Sequence, residues 1–374
     1  MRIDKVEFVG LRSPLDTPAV FSWGSASSRN VGLVKVVTSS GHVGWGETSV
    51  TFPLWSMEER AATVTDGLAP QAIGAEFETI EDIQSLCQGI DGNMNRLRLL
   101  WSPVGISGAI GAFEMALLDA LGRLRQQPVW QMLGGARQPI DLYAVGFAGE
   151  PSQAAQQAQS SLDEGYAAVK IRAGFGETQD LQQIETYRQT LENNARILLD
   201  VNMGWDRPEA LRMAALLNDF NLGWLEEPVS RDDREGLHEL RRVFNSRLAA
   251  GENCYTKEEL RILIDSGAVD VVMPDLARCG GFLTALEAAQ HALDSGLTYS
   301  THHYASDIGF SAMVGMCSVA GASEPILRDV SPWPLRESIL SEPLAVVDGQ
   351  AWAYEGPGLA PAPDLSVVER HRVI

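Results

Sequence analysis

Eight short apolar segments, alternating with stretches of helical periodicity through the second half of the chain, restrict the fold more than any other feature of this sequence. They are DLYAVGFAG, AAVKIRAG, RILLDVNMG, GWLEEPV, RLAAGEN, VDVVMPDLA, LTYSTHH and PILRDV. The segments between them, such as EALRMAALLNDFN and LTALEAAQHALDSG, carry apolar residues at the three-and-four spacing of an amphipathic helix. Repeated βα units lay parallel strands side by side, and eight of them close into a barrel. An open doubly wound sheet is the rival. It calls for G-x-G-x-x-G after the first strand and polar residues gathered at one crossover, whereas here polar residues end many strands.

A barrel leaves more than a hundred residues over in a chain of 374. From Met1 to about Gly46, KVEFVGL and VGLVKVVTS alternate faces as strands, FSWGSASSRN between them reads as a mobile loop, and the glycines of GHVGWGE read as turns. Residues from about Met57 to Leu133 have helical spacing, which predicts an α+β segment. The tail from about Leu344, with VDGQAWAYEGPGLAPAPD, reads as turns and short strands that pack back on the N-terminal segment. The expected division is 1–135, 136–335 and 336–374.

With 45% apolar and 21% charged residues, disorder is excluded. An excess of 49 acidic over 29 basic residues gives a net charge of −20, which repels nucleic acids and anionic membranes. The N-terminus lacks the apolar stretch of a signal peptide, and no run approaches about 18 apolar residues. Cys87, Cys254, Cys279 and Cys317 are widely spaced, with no C-x-x-C pair, and fit neither a disulfide framework nor a zinc site. A cytoplasmic protein is expected.

Barrel chemistry sits at the C-terminal ends of the strands. Asp200, Glu226 and Glu252 end three successive strand candidates at intervals of 26 residues. Three carboxylates converging in a low-dielectric cavity repel each other unless a hard divalent cation lies among them, which predicts a Mg²⁺ site. Asp275 and His302, 27 residues apart, end the next two strands and predict a dyad in which the carboxylate orients an imidazole base. His303 alternates to the other face and stays a candidate substrate contact beside a structural role. Lys170 and Arg172, two residues apart on one strand, point the same way and suit an anionic substrate or proton transfer.

In order and spacing, LLDVNMGWD, WLEEPV, GENCYT, MPDLARCGG and THH resemble the strand-end motifs of the enolase superfamily, and of its mandelate racemase subgroup in particular. QMLGGA and DGQAWAYEGPGLAP resemble further parts of that pattern, so the likeness spans nearly the whole chain. It implies a modified TIM-type (β/α)7β barrel with an α+β capping domain built from the N-terminal segment and the C-terminal tail. It also implies Asp200, Glu226 and Glu252 as Mg²⁺ ligands, Asn202 as a substrate contact, and Asp275 with His302 as the dyad that removes a proton α to a carboxylate. Two positions depart from the pattern. The second strand has Lys170-x-Arg172 in place of K-x-K, and Leu327 stands where the subgroup often has a Glu on the last strand; Glu324 and Arg328 have the wrong parity to replace it.

An arginine keeps its proton, so two-base racemisation fits poorly. The expected activity is Mg²⁺-dependent dehydration of a sugar acid to a 2-keto-3-deoxy acid, with Lys170 or Arg172 assisting and Phe21, Trp23, Ser25, Arg29 and Trp55 selecting the substrate. The alternatives are a cycloisomerase of a sugar-acid lactone or anhydro-sugar acid, a racemase or epimerase, and a catalytically silent sugar-acid binder. A small acid sugar is the expected partner, with no nucleic acid or membrane, and such barrels are expected to form homo-oligomers.

Overall fold

The computed structural model describes residues 1–21, 24–191, 194–321 and 324–374, with the backbone alone at 99 and 100. It opens with an antiparallel meander, β1 (Ile3–Phe21), β2 (Gly24–Thr38) and β3 (Val43–Thr48). The stretch expected as a mobile loop is instead largely strand: Ala19 pairs Ala26, Val20 pairs Ser25 and Phe21 pairs Gly24, so β1 and β2 run on as a two-stranded arm. Small and polar residues there break the two-residue alternation by which a strand is read from sequence.

The helix Ile80–Leu100 starts with a reciprocal cap. The Asp82 N–H donates to the Thr79 hydroxyl at 3.1 Å and the Thr79 N–H to the Asp82 carboxylate at 3.0 Å. The helix Pro103–Arg125 is long and apolar enough by composition to cross a membrane, unlike the sequence expectation, but 94% of its most apolar window is buried within the protein. It lies directly on β3. A Cβ on Gly44 would stand 1.9 Å from the Ala116 carbonyl oxygen, and one on Gly46 2.0 Å from that of Ala112. These two glycines, expected as turns, therefore serve the close approach of a helix to a strand.

Eight parallel strands follow: β4 (Ile140–Val145), β5 (Ala168–Arg172), β6 (Ile197–Asp200), β7 (Trp224–Glu226), β8 (Arg247–Ala250), β9 (Val271–Val272), β10 (Thr298–Tyr299) and β11 (Ile326–Asp329). They match the eight apolar segments one for one. Each pairs with the next from β4 to β10, and β11 returns to pair with β4. At the seam between β10 and β11 the Ser300 hydroxyl donates to the Pro325 carbonyl at 2.7 Å. The fold is thus the expected (β/α)7β barrel with its capping domain. Tyr143, Leu198, Trp224, Met273 and Leu327 pack together inside the barrel.

The tail forms a hairpin, β12 (Val346–Val347) and β13 (Gln350–Ala351), whose second strand runs antiparallel to the start of β4. Beyond it the Leu359 N–H donates to Asp119 at 2.8 Å and the Val373 N–H to the Gly10 carbonyl at 2.8 Å. The tail therefore touches both the barrel and the N-terminal segment.

Candidate active site

Register alone brings the acidic residues together. Arg172 pairs Asp200 and Asp200 pairs Glu226 across neighbouring parallel strands, so all three side chains share the inner face at the C-terminal end of the barrel. Glu252 lies just past β8, and one carboxylate oxygen from each of Asp200, Glu226 and Glu252 falls within 4.8 Å of the others. All three are buried. The loops that present them hold backbone strain: Asn202, Met203 and Glu227 have φ of 48°, 59° and 40°, a conformation that costs about 1 kcal/mol or more for a side-chain-bearing residue.

Lys170 projects into this acidic group, its Nζ 2.7 Å from Glu226 Oε1 and 3.0 Å from Asp200 Oδ2. Burial disfavours its ammonium, but those carboxylates outweigh burial and hold it protonated well above the ordinary lysine range. Burial and the repulsion of Asp200 push Glu226 well up, against the pull of Lys170. Burial, then Glu252 and Asp200, push the neighbouring Glu227 up to about 8. Glu252 goes the other way: burial raises it, yet His302 and Arg278 together hold it below the usual carboxylate range.

The dyad is formed. His302 Nδ1 lies 2.7 Å from Asp275 Oδ2, and Nε2 lies 3.1 Å from Glu252 Oε2. Arg278 braces both acids, at 3.1 Å from Glu252 and 3.3 Å from Asp275. Sequence reasoning passed over Arg278, although one helical turn after Asp275 in MPDLARCGG is the spacing at which a side chain returns to the same face.

A cavity of about 580 Å³ opens above these groups, lined by Lys170, Arg172, Asp200, Asn202, Glu252, Arg278, His302 and Leu327 from the barrel side. The capping segment supplies Phe21, Thr51, Trp55, Glu59, Arg60 and Ser102, and Tyr304 completes the wall. Arg172 donates to Asn202 Oδ1 at 2.9 Å and stacks its guanidinium 4.4 Å from the Phe21 ring centroid.

Two expected substrate contacts lie elsewhere. Arg29 is buried behind the wall, where it donates to Asp329 and to the Tyr304 hydroxyl and stacks 4.2 Å over the Tyr304 ring. A buried guanidinium must satisfy its donors locally, and Asp329 at the end of β11 does so. His303 turns from the cavity, with Nε2 2.9 Å from the Ser306 carbonyl. Trp55 lines the mouth and is 73% exposed, and Trp23 lies outside the described residues. The two residues of wrong parity are also accounted for. Glu324 joins Arg196 and Arg247 at 2.6 Å each, beside the starts of β6 and β8, and Arg328 pairs with Asp307.

The donor set suits a hard divalent cation. It consists of carboxylate oxygens alone, the ligand type that such an ion prefers. Lys170 contacts Asp200 and Glu226, and Arg278 and His302 contact Glu252, so a bound cation would share these carboxylates with them.

Comparison with known proteins agrees with this geometry. Residues 5–134 match the mandelate racemase / muconate lactonizing enzyme N-terminal domain, and residues 153–367 match the enolase C-terminal domain-like family. The chain is 30% identical to an N-succinyl-L-Arg/Lys racemase of Bacillus cereus, over 79% of this chain and 78% of the relative. It is 27% identical to a D-galactarolactone cycloisomerase of Agrobacterium fabrum, over 96% of each. It is 29% identical to an L-talarate/galactarate dehydratase of Salmonella typhimurium, over 70% and 66%. A racemase from Streptomyces coelicolor, solved with bound magnesium, superposes with a TM-score of 0.88 at 25% identity, over 99% of this chain and all of that one.

Proposed function

The chain belongs to the mandelate racemase / muconate lactonizing enzyme family of the enolase superfamily, and on that premise we propose that it takes the proton α to the carboxylate of an acid sugar and expels the oxygen on the next carbon. The enediolate that results loses water to give an enol, which tautomerises to a 2-keto-3-deoxy acid. The observation that carries this reading is one imidazole, His302, held at 2.7 Å by Asp275 and lining the cavity together with Asp200 and Glu252.

Asp200, Glu226 and Glu252 would hold Mg²⁺, which when bound neutralises the substrate carboxylate and stabilises the charge that develops on it. Asp275 accepts from Nδ1–H and fixes the tautomer, which leaves Nε2 as the base. His302 removes the α-proton and returns it to the departing hydroxyl, so one base completes the elimination. Lys170 balances the charge of Asp200 and Glu226 and presents its ammonium to the substrate carboxylate. Arg172, fixed by Asn202 and Phe21, binds an anionic or hydroxyl oxygen, since a guanidinium offers donors alone. Among the described residues that line the cavity, Lys170 is held protonated by Asp200 and Glu226, so it does not supply the second acceptor that mirror-image racemisation needs. Thr51, Ser102 and Asn202 along the wall suit the hydroxyls of a sugar chain.

A second reading keeps the same first step. If the departing oxygen belongs to a ring, elimination opens the ring with no water lost, and the enzyme is a cycloisomerase; the end-to-end match to D-galactarolactone cycloisomerase favours this.

The test is α-proton exchange and product formation in D₂O, followed by NMR with Mg²⁺ across aldonates, aldarates and their lactones. Exchange with keto-acid formation is expected, and His302→Asn should lower it by at least about 10²-fold. Unchanged turnover in that variant, or no exchange on any acid sugar by the wild type, overturns the proposal.

A further inference from the structure

The capping domain reaches the segment that carries His302 through one fully buried carboxylate. Glu47, on β3, accepts from the Ser306 N–H at 2.9 Å, the Ser306 hydroxyl at 2.8 Å and the Gly309 N–H at 2.8 Å. Those donors belong to the N-cap and first turn of the helix Asp307–Ala320, which follows the His302 loop directly. The ring of His303 lies alongside, with Nε2 4.0 Å from Glu47 Oε2. The packing has no slack: a Cβ on Gly309 would meet the His303 ring at 2.3 Å and Glu47 Oε2 at 2.9 Å.

Glu47 is absent from the cavity wall. Burying a carboxylate costs several kcal/mol unless donors satisfy it, and these three donors to Glu47 all lie within seven residues of His302. His302 is thus held at its ring by Asp275, and the chain that follows it is held at Ser306 and Gly309 by Glu47. A second capping-domain carboxylate, Glu114, takes the Leu283 N–H at 3.1 Å at the start of the helix after Asp275, so both halves of the dyad are anchored from one side.

We infer that Glu47 is a positioning residue, which sets the orientation of His302 toward the substrate from across the domain boundary. The inference rests on His302 as the base, and its test has an arm that needs no substrate. The proton shared by His302 Nδ1 and Asp275 should give an NMR signal downfield of the amides, identified by its loss in His302→Asn. In Glu47→Gln, with melting temperature and Mn²⁺ affinity retained, that signal should broaden or vanish, and Glu47→Asp should restore part of it.

With the acid sugar that the wild type turns over, Glu47→Gln should lower kcat about 10- to 100-fold, as other supporting partners of a site residue do, with KM within about threefold. A signal and a kcat both unchanged in Glu47→Gln and Glu47→Ala overturn the inference, as does a loss of kcat matched by equal losses in KM and Mn²⁺ affinity. A signal that responds while the wild type exchanges no α-proton on any acid sugar upholds the positioning and overturns the function instead.

Discussion

Removing the Lys170 ammonium leaves Asp200 and Glu226 buried at 2.7–3.0 Å from where their shared cation stood. Lys170→Met should therefore destabilise the protein by about 3–5 kcal/mol, the usual penalty for orphaning a buried charge. Added Mg²⁺ should recover part of it. Urea unfolding with and without the metal checks this, and equal losses in both conditions would contradict the shared charge balance. At this scale much of the site was legible, because strand-end acids at a regular interval can converge only if the strands close on themselves. Lys170 was legible in direction but not in its partners, since its neighbours lie 30 and 56 residues away. Glu47 escapes a sequence reading because its partners, Ser306 and Gly309, lie about 260 residues away, and Arg278 shows only its spacing from Asp275, not its contact with Glu252.

The N-terminal meander shows where pattern reading stops among whole elements. Alternation located β1 and β2, but the small residues of their far ends resembled a loop, since strand pairing there depends on a partner and not on an apolar face. Gly44 and Gly46 were read as turns, whereas contact with Ala112 and Ala116 requires them. Gly44→Ala forces β3 and the helix Pro103–Arg125 apart, because the added carbon meets backbone at 1.9 Å and backbone cannot rotate away. A loss of about 3 kcal/mol or more is expected, measured by chemical denaturation. A loss below about 1 kcal/mol would show that this contact yields easily. The barrel strands were legible throughout because, buried on both sides, they read as continuous apolar runs.

For the molecule as a whole, the joint between capping domain and barrel carries a pH dependence. Burial pushes Glu114 up to about 8, against the pull of the Leu283 and Phe282 N–H groups. The unfolded chain ionises this carboxyl near its ordinary value of 4.5, so unfolding releases a proton between those limits. Its contribution therefore favours the folded state at low pH, is lost progressively as pH rises from about 4.5 to 8, and is constant above. The difference in unfolding free energy between wild type and Glu114→Gln should change by a few kcal/mol across that range. A difference that stays flat with pH would exclude an ionisable Glu114 at the joint.

The cavity is walled by two parts of the chain that take separate places in the fold. The acids, the imidazole and the lysine belong to the barrel, and Phe21, Trp55, Glu59, Arg60 and Ser102 belong to the segment before it. Substitutions in the outer wall can thus alter which molecule is admitted without touching the charged groups at the floor, so the two halves of the pocket can be engineered one at a time.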